Sequence, residues 1–309
     1  MSAERTATVD ASNIALVTVL HDSQRELGSL LGSVERHLPG AHVVVVDSGS
    51  RDAGPALARD WDGNTTVIEL GENFGFGRAS NTGLETVEAP VTVLVNPDVE
   101  LLDSSLARLA AEVMRDDRPE RILAPLVLLP DGTRQDSAHH EPGSVADVVR
   151  AIVPPVALPP GLRRLVEPWR SEEPRRAGWA IGCCLVARTD TLRRLGPFDP
   201  GAFLYAEDLD LGLRANDVGI ETWFWPGGRI LHHGAHATER TFGGEPFELV
   251  ARRRRQVVRR WRGRRRQTVD DWVLLATYAN RMVLKTLLRQ PAARERRQLA
   301  ALLAARRDG

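Results

Sequence analysis

Residues 42–50 read His-Val-Val-Val-Val-Asp-Ser-Gly-Ser, and this stretch decides the fold. Four consecutive valines leave neither face of a strand for water, the pattern of a parallel sheet covered by helices. The run stops at Asp47-Ser48-Gly49-Ser50, a polar, turn-forming tip. The same grammar repeats outward. Ile14–Leu20 is a second buried strand tipped by His21-Asp22-Ser23, and Val91–Val95 another tipped by Asn96-Pro97-Asp98. Thr66–Leu70 precedes a glycine-rich loop, Gly71-Glu72-Asn73-Phe74-Gly75-Phe76-Gly77. Between the strands, Leu27, Leu30, Leu31, Val34 and Leu38 share one helix face. A second helix is expected over Arg78–Val87, and a third behind Asp103 shows Leu106, Leu109, Ala110 and Val113 on one side. Strands alternating with amphipathic helices give βαβ units, so the expected class is α/β with a Rossmann-like, mostly parallel sheet and flanking helices. Such sheets bind ligands at the carboxyl ends of their strands, where the three polar tips fall.

The second half is less regular. Ile122–Leu129, Trp179–Ala187, Glu221–Trp225 and Arg229–His232 read as strands, and Leu211–Val218 as a helix. Residues 141–176 are rich in Pro and Arg and read as a long excursion, a candidate flap. From about residue 246 the chain reads as helical throughout. The expected organisation is a disordered stretch at 1–12, an α/β domain at 13–245 and a basic helical extension at 246–309.

Composition bounds the function. The chain has 309 residues, of which 42% are hydrophobic and 27% charged, so it can bury a sizeable core and is not disordered throughout. The two cysteines, Cys183 and Cys184, are adjacent, which disfavours a disulfide and leaves no CxxC metal pair. The formal net charge is zero but unevenly spread. Residues 251–309 hold 18 Lys+Arg against 4 Asp+Glu, facing an acidic body. No leader or membrane-spanning run is read: the apolar stretch Trp272–Leu288 is broken by Asn280, Arg281 and Lys285. The expected location is cytoplasmic, with peripheral attachment to the inner face of the membrane.

Three clusters carry chemistry. Asp98 at a strand end suits a hard cation that also binds a diphosphate; the plain alternative is an exposed turn. Glu207, Asp208 and Asp210 place three carboxylates in four residues. Mutual repulsion raises the pKa of such groups toward that of a general base, although acidic residues also simply favour a helix's first turn. His232, His233 and His236 could join Asp98 on a cation or bind phosphate, but lack the HExxH pattern. His139-His140 is read as surface. Gly75-x-Gly77 is not a dinucleotide fingerprint, because it follows the third strand and lacks the final glycine.

Together these motifs resemble a family-2 glycosyltransferase with the GT-A fold over roughly residues 13–240. Val43–Ser50 resembles the family's VVDNGS strand end, Glu72–Asn81 its ENxGFxxxxN loop and Asn96-Pro97-Asp98 its DxD metal motif. Gly196-Pro197-Phe198-Asp199 with Phe203–Leu211 resembles the GxFDExFFxYxEDxDL signature, and Ile230–His233 the closing VxH element. The resemblance implies an inverting transfer from a nucleotide-diphosphate sugar. Asp208 would be the general base and Glu207 would orient the acceptor or the base. Asp47, Ser48, Asn73, Gly75, Arg78, Asn81 and Asn96 would line the donor nucleotide. Asp98, assisted by His232, would hold Mg2+ or Mn2+, and Trp179 and Asp210 would lie on the acceptor side. Gly178-Trp179, Gly182–Leu185 and His232–Thr238 resemble most closely bacterial rhamnosyltransferases acting on lipid-linked cell-wall precursors. That likeness implies dTDP-L-rhamnose as donor and a glycan or polyprenyl-diphosphate sugar as acceptor.

The stretch 252–266, Arg-Arg-Arg-Arg-Gln-Val-Val-Arg-Arg-Trp-Arg-Gly-Arg-Arg-Arg, has two readings. It attaches to anionic lipid, with Trp272–Leu288 in the interface, or it folds back on the acidic body. No nucleic-acid partner is expected, since no base-reading motif accompanies the charge. A sugar-nucleotide pyrophosphorylase would share the sheet but needs a GxGTR-like loop and a nearby lysine, and the only lysine is Lys285. A non-catalytic polyanion-binding protein would have no need of both Asp98 and Asp208.

Overall fold

The computed structural model describes residues 9–199, 205–234 and 246–307. Its strands are β1 (Ile14–Leu20), β2 (His42–Asp47), β3 (Thr65–Glu69), β4 (Val91–Val95), β5 (Val99–Leu101), β6 (Arg121–Leu128), β7 (Ala138–His139), β8 (Arg175–Ala177), β9 (Trp179–Ala180), β10 (Cys184–Arg188) and β11 (Glu221–His232). Its helices are α1 (Gln24–His37), α2 (Gly54–Arg59), α3 (Phe76–Glu85), α4 (Ser105–Val113), α5 (Val145–Ile152), α6 (Pro160–Val166), α7 (Thr189–Leu195), α8 (Glu207–Asp217), α9 (Phe247–Leu287) and α10 (Ala293–Arg307).

The main sheet runs β3-β2-β1-β4-β10-β6-β11-β5. Its first four strands are parallel, as the apolar runs require, and every residue of β1 and β4 is buried. β10 enters antiparallel between β4 and β6, which places the residues before it beside the end of β4. β11 is one strand with an irregularity between Trp225 and Arg229, where two short strands were expected. Helix α1 buries Leu27, Leu30, Leu31 and Val34, the stripe read from the sequence. Apolar layers cover both faces of the sheet.

Three expectations change. Of the stretch read as frayed, residues 9–12 are described. Asp10 caps a short 3-10 turn at Ala11–Asn13, and Val9 and Ala11 pack on the core. The 141–176 excursion carries α5, α6 and two short 3-10 turns, because Ser144 caps α5 and prolines start the others. The basic tail is helical but bent: Gly263, at φ 77°, splits α9 into two arms. Its bend is held by Arg254 on Asp270, at 2.8 Å for each of two bonds, and by Arg255 on Asp271. The first arm docks on α8, with Val258 buried against Leu209 and Leu213. Arg262 pairs with Glu141 and Asp217, and Arg260 with Asp199. A share of the arginine run is therefore spent inside the tail and on acids of the body.

Candidate active site

The loops at the ends of β1, β2 and β3, expected on the donor side, hold one another. His21 Nδ1 donates to the Ser48 carbonyl at 2.8 Å. Asp47 is buried, and its carboxylate accepts from the Ser50 amide, so it shapes the turn it begins. Ser48 Oγ accepts from the Phe74 amide and approaches Asn73 Oδ1, which in turn accepts from the Gly75 amide at 2.9 Å. Gly49 sits at φ +75°, and a Cβ there would meet the Glu72 backbone at 2.9 Å, so the 47–50 and 71–75 loops touch through bare backbone. Arg78 lies exposed, its guanidinium 4.0 Å from the Phe74 ring centre. The structure brings Asp47, Ser48, Asn73, Gly75 and Arg78 together. It does not bring Asn81 with them. Asn81 Nδ2 donates to the Phe198 carbonyl and its Oδ1 accepts from the Phe198 amide, at 2.7 and 3.2 Å. Both ends of this amide are committed to fastening the Gly196–Asp199 segment to α3, so the expected donor contact is corrected to a clamp.

At the end of β4, the Asn96 amide donates to the Cys183 carbonyl at 2.9 Å. Asp98 Oδ1 is buried, makes no aligned hydrogen bond, and lies 3.3 Å from His232 Nε2. Gln135 Oε1 sits 2.7 Å from His232 Nδ1. The amide oxygen only accepts, so Nδ1 carries the hydrogen and Nε2 turns a lone pair toward the Asp98 oxygen. Two acceptors facing each other need a proton or a cation between them. Burial opposes ionisation of Asp98; a proton on His232 Nε2 supplies the hydrogen bond and charge that, with His233 adding, hold its carboxyl below the usual range. Among the described residues no group of three or more His, Cys, Asp or Glu side chains is preassembled for a metal. A carboxylate and an imidazole still fit a divalent cation that takes its remaining ligands from a substrate diphosphate and water. His233 does not join them: it turns to Glu100 of β5, 3.4 Å away. His236 lies outside the described residues.

The carboxylate pair at the start of α8 is built differently. Tyr205 and Ala206 both have positive φ, 71° and 63°, an uncommon conformation for residues with a Cβ that turns the chain sharply into the helix. Asp208 then receives the amides of Gly182 at 3.1 Å and Leu209 at 2.7 Å. Burial pushes the Asp208 carboxyl up, opposed by those amides and by the charge of Arg254. Glu207 is pushed up to about 8, first by burial and then by the Asp208 charge, and its Oε2 is buried without a hydrogen-bond partner. The two ionise in sequence. Asp208, whose amide bonds favour the charged form, loses its proton first. The pair then offers one carboxylate and one carboxylic acid side by side.

One acceptor-side expectation changes. Asp210 is buried; Oδ2 takes Arg214 Nε at 2.7 Å and Oδ1 takes Trp261 Nε1 at 2.6 Å. Its position three residues into the helix turns it inward, so it fastens the basic tail to α8 and faces no substrate. Trp179 stacks on His139, ring centres 4.3 Å apart, with Arg254 above it and α8 behind it at Gly212. It is held on three sides, and its place on the acceptor side stays an expectation. His139, expected at the surface, is thus half-buried, and burial lowers its pKa to about 4. Gln135, Gly182 and Arg254 carry site geometry that the sequence reading missed. Gly182 stood within a quoted motif, whereas Gln135 and Arg254 are marked by no motif and owe their places to a loop and a docked tail.

Residues 16–140 match the family model described as Glycosyl transferase family 2. An N-acetylglucosaminyl-diphospho-decaprenol L-rhamnosyltransferase of Mycobacterium tuberculosis is 29% identical over 229 residues, covering 70% of this chain and 73% of that protein. A mannosyltransferase of Pyrobaculum calidifontis, solved with GDP-Man and Mn2+, superposes with a TM-score of 0.60 at 16% identity, over 95% of this chain and 85% of that one. GalNAc-T7, solved with UDP, GalNAc and Mn2+, superposes at 0.58 and 19% identity over 79% of this chain, which spans 47% of that structure. The structural likenesses show a shared GT-A-like fold. Residues 16–140 therefore carry a family-2 glycosyltransferase domain, and the chain is a glycosyltransferase homologous to a rhamnosyltransferase.

Proposed function

We propose that this enzyme transfers an L-rhamnosyl group, from dTDP-L-rhamnose, to a hydroxyl of a polyprenyl-diphosphate-linked sugar in cell-envelope polysaccharide synthesis, with inversion. The observation that carries the chemistry is the loop Ile181-Gly182-Cys183. Its Gly182 amide holds Asp208 and its Cys183 carbonyl holds Asn96, so one short loop sets the base against the donor's strand end. Asp208, ionised first, removes the acceptor hydroxyl proton. Glu207, still protonated near neutral pH, donates a hydrogen bond to the acceptor or to its neighbour. Attack from the face opposite the leaving diphosphate inverts the anomeric centre. Asp98 and His232 would hold Mg2+ or Mn2+, which offsets charge growing on the leaving diphosphate. Asp47, Ser48, Asn73, Gly75, Arg78 and Asn96 form the nucleotide side, and Trp179 walls the acceptor side. The rhamnosyl group is named from the rhamnosyltransferase relative, and its dTDP carrier from the sequence resemblance alone.

The same reading places the protein at the inner membrane face. Among the described residues no helix is long and apolar enough to cross a membrane. Arg264 and Arg265 remain exposed beside Val269 and Trp272, which are 40% and 60% exposed, and these would meet anionic lipid. The test is donor hydrolysis and binding across a panel of nucleotide sugars with Mg2+ or Mn2+. Metal-dependent selection of dTDP-L-rhamnose is expected. Selection of another donor overturns the rhamnosyl assignment, and failure to bind any donor overturns the mechanism.

A further inference from the structure

Beyond Gln135 the chain encloses a second cavity, of about 650 Å3, that the transfer chemistry does not use. Its walls are the loop after β6, the α5–α6 excursion, the second arm of α9 and the start of α10. Arg134, Arg150, Arg163, Arg170, Arg281 and Arg294 line it, against two acids, Asp136 and Glu167. Some of these are internally matched: Arg163 and Arg170 share Glu167, and Arg134 takes Glu172. Others are not. Arg150 is mostly buried, comes no nearer than 3.8 Å to Asp147, and leaves its Nε buried without a hydrogen-bond partner. Arg281 is exposed and makes no hydrogen bond or ion pair among the described residues. A buried, unmatched guanidinium N–H costs free energy until an acceptor arrives, and paired guanidinium forks match phosphoryl oxygens.

The rim of this cavity is apolar. Among the described residues, eight of the fourteen exposed large apolar side chains lie on α5, α6 and the turns around them or at the end of α9. Val156 lines the cavity at 68% exposure, with Ile152 equally open beside it and Leu287 at 75%. Asn280 Nδ2 donates to the Ala151 carbonyl, which joins the two rim segments. An anion with no apolar part would leave this rim in water; an anion carrying a long hydrocarbon would cover it. The cavity also touches the active site. Gln135 lines it and, through Oε1, holds His232 at 2.7 Å.

We infer that the arginine cavity binds the diphosphate of a prenyl-linked acceptor, with Arg150 and Arg281 on the phosphoryl oxygens and the hydrocarbon lying along the 152–165 and 283–288 rim. The inference rests on the lipid-linked acceptor proposed above and gives that acceptor a seat. It also assigns the excursion and the tail a joint role, since neither segment forms the cavity alone.

Calorimetry on the full-length protein tests it, with farnesyl diphosphate as the probe, and inorganic pyrophosphate and farnesol as its two halves. The double substitution R150Q/R281Q is expected to weaken farnesyl diphosphate binding about tenfold or more, at one lost charge-assisted bond per residue. Pyrophosphate alone should bind more weakly than the prenyl probe, and farnesol binding should not respond to the substitutions. The exposed single variant R281Q should show part of the loss, which guards against misfolding of the double variant. Equal affinity in wild type and variants overturns the inference. So does a drop in binding to phosphatidylglycerol vesicles with farnesyl diphosphate affinity unchanged, since the arginines would then be reading bulk headgroups. Nucleotide-sugar hydrolysis is measured in parallel. A wild type that hydrolyses donor but binds no prenyl diphosphate sinks this site alone. One that binds the prenyl probe and processes no donor sinks the transferase mechanism and leaves the site standing.

Discussion

Asp98 and the Glu207–Asp208 pair are carboxylate sites on either side of the Gly182–Cys183 loop, and their environments drive them in opposite directions. Asp98 faces an imidazole whose far nitrogen is anchored by Gln135, and its carboxyl is held below the usual range. Glu207 and Asp208 face each other and apolar surroundings, and both are raised. A permanently charged carboxylate suits a cation and a diphosphate, while a carboxylate near its titration point suits proton transfer. The difference is made by neighbours, since the residue type is the same at Asp98 and Asp208.

The largest expected effect breaks the raised pair. D208N keeps the size of the side chain and removes the base, so sugar transfer should fall by about 10²-fold or more while donor binding persists. D98A attacks the other side: donor binding in the presence of metal should be lost, and transfer with it. Titrating dTDP-L-rhamnose against both variants separates the two roles. Equal loss of donor binding in both would collapse the contrast.

The raised pair also predicts a pH signature. Transfer should rise with pH as Asp208 ionises, and a second step should appear near the value of about 8 at which Glu207 loses its proton. E207Q should remove the second step and keep the first. Stability has a definite sign here. The folded protein holds the Glu207 proton more tightly than the unfolded chain, whose value is near 4.5, so the fold loses stability as pH rises from there toward about 8. E207Q escapes that loss. Its melting temperature relative to wild type should therefore climb between about pH 5 and pH 8.5, and a constant difference would show that Glu207 is not raised.

A smaller effect should come from Q135L. The substitution leaves the imidazole in place and frees its tautomer, which typically lowers metal affinity about 10- to 100-fold. Donor binding measured against metal concentration should shift accordingly, with little change at saturating metal. Loss that metal cannot rescue would mean that Gln135 acts on folding instead.

How legible this was depends on whether a residue's task is local. The parallel half of the sheet was readable because burial on both faces writes an unbroken apolar run, as in Val43–Val46. Asp98 and Asp208 stand out in the sequence because each lies at the end of its own element. Asp210 and Asn81 were misassigned for the opposite reason. Each sits in a motif, but its partner, Trp261 or Phe198, is 51 or 117 residues away and visible only once the chain is folded. Gln135 and Arg254 belong to the same class. The excursion was opaque because its helices are short and opened by prolines, which read equally as loop.

The finest test concerns the loop that separates the two sites. A Cβ on Gly182 would come to 3.6 Å from Asp208 Cβ and 4.0 Å from Phe76, ordinary van der Waals contact at a φ open to any residue. G182A therefore keeps the amide that holds Asp208, and transfer should change by no more than about threefold, since no charged bond is lost. Gly49 lies in the other loop system and has no such room: φ is +75° and the Glu72 backbone stands 2.9 Å from the new atom. G49A should cost about 1–3 kcal/mol of stability and loosen the donor loops. If G182A instead abolished transfer while G49A were silent, close backbone contact would matter at the catalytic pair and not at the nucleotide loops. The arrangement argued here requires the reverse.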